Sequence, residues 1–554
     1  MLSSRELGRY CARCGAMGIS REQVMMMSLE DFVTEDSFAR VIDGFVEGIQ
    51  LEELSFDHVR TSKEGRPPYH PGDLLKVVLY CPYKGIFSSY RLSDACKYNL
   101  EVKWLAHGVT PCAKTFSEFR RRNGEGIAQV FEKLTEILAQ CDLLDGELVA
   151  QDSFKVDAQN SKSRNYTQGT LEKRREYLQG VVDEYEKALA QESDTDHTDE
   201  AQSEGEVQVT AEETREEMEE KVGRYREKIK ECERLQAELE ASGQSQLSLT
   251  DPEARRMPTA TGGMEISYNV QACADAKHSL IVGYDVINHS DAGELSRMGE
   301  VVKENLHVDH IEMLADKGYN SATDLLRCEK RGVRVQISAK DGYDICVECP
   351  AEEAVMPTEH KRGMCVYLEE RNVVLCPMGQ VLKPSSYRER DKAMRFRNAK
   401  ACKACTCRCV KRGVKEFEVK MTREQGARSP NVENLYVKQH RFEFDPELTK
   451  RRKCIIEHIF GTIKHGWGAR QFQTRGLKNV RIEAGIWFIA YNLLRARNVL
   501  GSPKFLAALR ARARKGLFFL LSAGFMGVMG RFWGLYAPTR PLNFLPLFFC
   551  VFGT

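Results

Sequence analysis

Residues 310–337 read HIEMLADKGYNSATDLLRCEKRGVRVQI, and their order decides the fold class. An apolar run, His310–Ala315, stops at Asp316. Gly318 supplies a turn, Ser321–Arg331 carries helical spacing, and Val333–Ile337 is a second apolar run. Strand, acid, glycine turn, helix and strand form an α/β pattern. Ligand and catalytic groups in such sheets tend to sit at strand ends, which singles out Asp316. Upstream, Ser267–Cys273 and Ser279–Val286 read as successive strands. Earlier still, ELVAQDSFKV (147–156) carries an apolar run ending in Asp152. A second short extended piece, Phe154–Val156, follows with Lys155 between its apolar residues.

Helical spacing surrounds these strands. The first ~125 residues read as several short helices, at Asp73–Tyr80, around Tyr90–Tyr98 and at Thr115–Arg122, the last ending in Arg120, Arg121 and Arg122. A helix-turn-helix-like bundle that lies on DNA and a plain bundle with a basic face both fit. Leu171, Leu178, Val182, Tyr185 and Leu189 keep three-and-four spacing, as do Val222, Tyr225, Ile229, Cys232 and Leu239. The acidic stretch 191–206 lies between them. Two helices joined by a polar tip predict an antiparallel coiled-coil hairpin with a disordered connector. The expected organisation is a helical domain at 1–130, core segments at 140–167 and 251–345, the hairpin at 168–250 and a cysteine-rich insertion at 346–445. Core helices at 446–500 and a basic, then apolar tail at 501–554 complete it.

The chain has 554 residues, 42% hydrophobic and 29% charged, enough for a sizeable core and about three or four domains. Lys plus Arg (81) against Asp plus Glu (80) leaves +1, so no global charge announces a nucleic-acid partner. The basic residues concentrate locally instead, in 450–470 (KRRKCIIEHIFGTIKHGWGAR) and onward through Arg495, Arg497, Arg510, Arg512, Arg514 and Lys515. Such clustering suits contact with a phosphate backbone. The opening residues MLSSRELGRYCARCG lack a secretory pattern, and 19 cysteines then point to a reducing, cytoplasmic setting with thiols or metal ligands. The apolar runs of the tail fall short of the ~20 residues of a membrane span, so no membrane partner is expected.

Between Cys346 and Cys409 the cysteines dominate: Cys346-x-x-Cys349, Cys365, Cys376-Pro377, then Cys402-x-x-Cys405-x-Cys407-x-Cys409. Two thiolates on one tight turn have the chelate spacing of tetrahedral zinc. Structural zinc on a set such as Cys376, Cys402, Cys405 and Cys409 and free thiols are equal readings.

Three acids stand apart: Asp152 and Asp316 at strand ends, and Glu457 in a basic helix where Lys453, Glu457 and Lys464 share one face. Singly, each has an ordinary role as a turn former or half of a surface ion pair. Together, three carboxylates at one point can hold two divalent cations, which activate a water or 3′-hydroxyl and steady the leaving oxygen of a phosphodiester. Magnesium suits carboxylate oxygens and keeps positions for phosphate and water.

At these residues the chain resembles DDE transposases of bacterial insertion sequences, in the IS4/IS5-like group and closest to the IS1182 family. QDSFKVDAQNSK is similar to the family's first-aspartate motif, LADKGYNS to its second, and EHIFGTIK to the end of its signature, where a Glu is followed seven residues later by a Lys. The stretch YHPGDLLKVVLY through TFSEFRRR resembles the helical domain that precedes the core. The resemblance implies an RNase H-like core, a mixed sheet flanked by helices, with Asp152, Asp316 and Glu457 as catalytic acids. It implies two Mg²⁺ ions, replaceable by Mn²⁺, and double-stranded DNA as terminal repeats and target. It also implies a homodimer on DNA, and cleavage followed by transfer of the 3′-OH. Lys453, Lys464 and Arg120–Arg122 would contact DNA. The sequence departs from the family where Lys450 and Lys453 replace a Tyr and an Arg, and where Ser153 replaces a Gly. Two further readings stand beside the transposase: a metal-dependent nuclease on the same fold, and a non-catalytic zinc-containing DNA-binding protein, including a decayed copy.

Overall fold

A computed structural model of the chain describes residues 28–59, 68–161, 164–194, 214–243, 246–258, 263–337, 344–347, 364–376, 378–389, 393–405, 416–422 and 446–511. Cys349, Cys407, Cys409, the acidic tip and the apolar tail lie outside these residues.

Among the described residues six α-helices come first: α1 (Phe38–Gly48), α2 (Pro71–Tyr80), α3 (Ser89–Tyr98), α4 (Leu100–Leu105), α5 (Ala113–Arg122) and α6 (Gly124–Gln140). Pro71 opens α2, where a missing N–H costs nothing, and the His70 ring accepts the N–H of Gly72. The apolar faces converge on Phe45, Leu75, Leu79, Phe116 and Leu134, all fully buried.

The central strand β1 (Leu148–Asp157) follows. A detour then leads through β2 (Asn165–Thr167), α7 (Gln168–Asp194), α8 (Arg215–Ser242) and β3 (Gln246–Ser248). Leu171 and Leu178 early in α7 pack with Cys232, Leu235 and Leu239 late in α8, while Val182 and Tyr185 meet Met218 and Val222, so the two helices run antiparallel. The chain returns through β4 (Arg255–Pro258), β5 (Met264–Asp275), β6 (Ile281–Ile287), α9 (Leu295–Leu306), β7 (Ile311–Ala315), α10 (Ala322–Lys330) and β8 (Val333–Ile337).

β2 and β3 pair only with each other, whereas β1 and β4–β8 make one mixed sheet. β1 is antiparallel to β5, which pairs antiparallel with both β6 and β4; on its other side β1 is parallel to β7, and β7 to β8. Side chains alternate across it. The face bearing Gln151 and Ser153 carries Gly283 and Asp285 of β6, against which α9 lies: a Cβ on Gly283 would stand 2.9 Å from Val302, and Arg297 pairs with Asp285. The face bearing Asp152 and Phe154 is covered by α12 (Pro446–Phe460) and α13 (Leu477–Leu500). The architecture is therefore α/β with a mixed sheet between helical layers.

Two expectations change. Asp152 does not end a strand: β1 is continuous through Phe154–Val156, and Asp152 pairs with Ala272 in its middle. The cysteine-rich stretch, read only for metal ligands, contains a second six-stranded sheet: β9 (Asp344–Val347), β10 (Met364–Leu368), β11 (Val373–Leu375), β12 (Val381–Arg388), β13 (Ala393–Arg397) and β14 (Glu418–Thr422), in spatial order β14-β13-β12-β11-β10-β9. Its strands are short and β12 is mostly exposed, so apolar alternation is weak. A short helix, α11 (Ala399–Ala404), follows β13. Among the described residues no helix is long and apolar enough to cross a membrane.

Candidate active site

The parallel ladder between β1 and β7 ends at the pair Ala150↔Leu314. Two residues further along each strand stand Asp152 and Asp316, so one register carries both acids to the place where the strands part. Adjacent strands lie ~4.8 Å apart, and the Asp316 charge acts on Asp152. Asp316 leaves β7 with extended backbone and opens a tight turn, Lys317–Tyr319. That turn is anchored by Tyr319, whose buried hydroxyl donates to Gln271 Oε1 at 2.6 Å.

The third acid arrives on α12. Ile455, Ile456 and Ile459 are buried, and the Phe460 ring lies 4.6 Å from that of Phe154 on β1. This packing sets the helix over the Asp152 face. Glu457 projects to the edge, its side chain 52% exposed. Arg452 lies inward, its side chain 6% exposed. It donates from Nη1 to Asp152 Oδ2, and its Nη2 is 4.0 Å from Glu457 Oε1. Sequence reasoning missed it, having placed the signature's Tyr and Arg positions on Lys450 and Lys453, which are exposed. The signal was present: Arg452 precedes Ile455, Ile456, Ile459 and Ile463 by three, four, seven and eleven residues, the spacing of one buried stripe.

Asp152 Oδ1 accepts the Ser153 N–H at 2.8 Å. Burial holds its carboxyl above the ordinary carboxylate range; Arg452 opposes that rise and Asp316 adds to it. An acid made costly to ionise by burial and by a like charge is one that a bound cation relieves. The donor chemistry therefore fits a hard divalent ion. In the described residues, however, no three acidic, His or Cys groups approach closely enough to hold one, and the cation beside Asp152 and Glu457 is Arg452.

After Phe460 the helix widens into a π turn, Gly461–Gly466, a form over-represented at functional sites. The single helical face expected for Lys453, Glu457 and Lys464 therefore does not extend to Lys464. Its Nζ instead donates to the Lys155 carbonyl of β1 at 2.7 Å.

The opposite face of β1 carries a polar network centred on Asp291, a second residue sequence reasoning left unassigned. Asp291 Oδ1 accepts from Ser153 Oγ (2.7 Å), Asn269 Nδ2 (2.7 Å) and Gln271 Nε2 (2.8 Å), with Lys155 Nζ at 3.6 Å. Burial would raise its pKa, but Asn269, Lys155, Ser153 and Gln271 together hold it below the ordinary value. The network braces the strand segment that carries Asp152.

The remaining candidates differ in their surroundings. Arg121 and Arg122 are exposed, whereas Arg120, expected on a basic face, is buried and donates to the Phe87 carbonyl and to Ser89 Oγ. Cys376 Sγ accepts the Gln380 N–H and Cys402 Sγ the Phe417 N–H; Cys405 is half-buried, and Cys409 is not described.

Comparison with known proteins gives two family matches. Residues 27–122 match a transposase domain, DUF772, and residues 375–497, which include Arg452, Glu457 and Lys464, match a transposase DDE domain. No curated protein and no solved structure matches the chain. The two domain matches support a DDE transposase.

Proposed function

We propose that the chain is a DNA transposase of the IS1182-type DDE class. Its catalytic acids are Asp152, Asp316 and Glu457, on an RNase H-like core interrupted by the paired helices α7 and α8 and by the cysteine-rich sheet. The observation that carries the reading is the shared register of Asp152 and Asp316 under the helix that presents Glu457. The sheet order, antiparallel on one side of β1 and parallel on the other, supports the RNase H-like assignment. Asp152, Asp316 and Glu457 would hold Mg²⁺, which when bound supplies an activated water or 3′-hydroxyl and steadies the leaving oxygen. The chain's own residues do the positioning. The Ser153 N–H fixes one oxygen of Asp152, Tyr319 holds the Asp316 turn, and Lys464 brings a cation beside β1 for the DNA backbone. Joining two element ends calls for a homodimer on double-stranded DNA.

The test incubates the full chain with Mg²⁺ and a labelled duplex bearing the flanking element end, beside Glu457→Gln and Asp152→Asn. Cleavage followed by a joined product, in wild type alone, supports the transposase. Cleavage without joining identifies a nuclease, and specific binding with no cleavage identifies a binding protein.

A further inference from the structure

Arg452 is 5% exposed, although Lys450, Arg451 and Lys453 around it all face solvent. A guanidinium keeps its charge at any ordinary pH, so burying one is tolerated only beside groups that answer the charge. Here those groups are Asp152, whose Oδ2 accepts from Nη1, and Glu457, whose Oε1 stands 4.0 Å from Nη2. Both are carboxylates assigned above to the metal. The third donor position of the fork, Nε, is buried with no partner among the described residues. Buried donors are nearly always paired, so this N–H marks a side chain with one acceptor still to find.

Both oxygens of Asp152 are engaged by protein donors, Oδ1 by the Ser153 N–H and Oδ2 by Arg452. A divalent ion binds a carboxylate oxygen at about 2.0–2.1 Å, which at Oδ2 would press its charge against the guanidinium. Arginine and metal therefore compete for the same acids. What can draw the arginine off is an anion that matches its planar fork, and phosphate does so through two parallel N–H bonds. The Glu457 end of the site is open to such an anion, since that side chain is 52% exposed.

We propose that Arg452 is a built-in counter-ion that keeps divalent metal out of the free protein and releases the acids when a substrate phosphodiester takes up its guanidinium. The proposal rests on the transposase reading above and adds the order in which its site fills, phosphate first and metal second. Nε gains its missing acceptor in the same movement. A chain away from DNA then carries no loaded hydrolytic centre. Linkage makes the effect reciprocal: the factor by which duplex strengthens metal binding is the factor by which metal strengthens duplex binding.

The experiment titrates Mn²⁺ into the full chain and follows the free ion by electron paramagnetic resonance. Wild type and Arg452→Met are compared alone and with a random-sequence duplex, correcting for ion held by the duplex itself. Arg452→Met alone should bind Mn²⁺ about tenfold or more tighter than wild type alone, within the usual range of such couplings. Duplex should tighten binding by a similar factor in wild type and leave the variant unchanged. A purely structural arginine predicts the opposite, weaker binding in the variant. Wild type that binds the ion equally with and without duplex overturns the counter-ion role and spares the transposase reading, and this arm decides the matter even if Arg452→Met does not fold. A folded Arg452→Met that binds no tighter than wild type overturns it too. Mn²⁺ bound by neither protein, with or without duplex, or binding by Arg452→Met that survives Asp152→Asn, overturns the acid assignment and the transposase reading with it.

Discussion

Arg452 donates to the carboxylate of Asp152 and reaches Glu457 at 4.0 Å, joining with one cation two acids that lie 305 positions apart in the chain. Asp152 is half-buried and feels the Asp316 charge, so without a positive neighbour its own charge is unfavourable. Truncating the buried partner of such a pair leaves the other half-buried and uncompensated. Arg452→Ala is expected to cost about 3 kcal/mol in metal-free buffer. Millimolar Mg²⁺ should recover most of that loss in the variant while moving wild type little. Thermal melts with and without the ion decide it: equal shifts in both proteins would sink the idea that guanidinium and metal serve the same acids.

Glu457 differs because its side chain is half exposed. Glu457→Gln should leave the melting temperature within the equivalent of about 0.5 kcal/mol. On the proposed transposase reading, Mg²⁺-dependent cleavage should fall on the order of 10³-fold, since the substitution removes one of the three charges proposed to hold the metal. Comparable losses in folding and cleavage would instead make Glu457 structural.

Asp291 gives a pH signature. Burial would raise its carboxyl, but its partners hold it below the ordinary carboxylate value, so the folded state favours the ionised form. The stabilisation is present above the unfolded carboxylate pKa and is lost as pH falls through the lower folded value. Asp291→Asn should therefore melt lower at pH 7, by roughly 2 kcal/mol, with the deficit narrowing below about pH 4. A deficit constant from pH 7 to pH 3 would refute the electrostatic account.

Gly485 is a packing constraint. A Cβ there would lie 2.2 Å from the Tyr284 hydroxyl oxygen, on the face where α13 crosses β6. Gly485→Ala should destabilise the fold by about 2 kcal/mol through overpacking, and Gly485→Ala with Tyr284→Phe should recover part of it. If the single variant melts like wild type, α13 is not seated this closely.

Much of the core was legible because strong periodicity marked it. The strand at Val333–Ile337 lies as expected, and the stretch 446–500, expected to hold core helices, contains Pro446–Phe460 and Leu477–Leu500. Asp152 was legible as a candidate but not as a mid-strand residue, because Ser153 and Lys155 interrupt the apolar pattern on a face that the Asp291 network makes polar. Arg452 hid in a run of basic residues whose net charge signals exposure, although its helical phase is that of the buried isoleucines. The second sheet escaped because short strands with one wet face leave little hydrophobic signal.

The helix formed by residues 502–511 packs Leu506 against α1, so closely that a Cβ on Gly44 would stand 2.8 Å from it, and Phe505 and Leu509 are buried in the same core. Among the described residues, the earliest α-helix is thus finished by the latest. A ribosome adding ~10 residues per second would leave the Gly44 side of α1 uncovered for on the order of tens of seconds. A gene copy cut short just after α13 would not merely lose its end: it would release a protein whose beginning has lost its lid, the sort of product quality-control proteases remove.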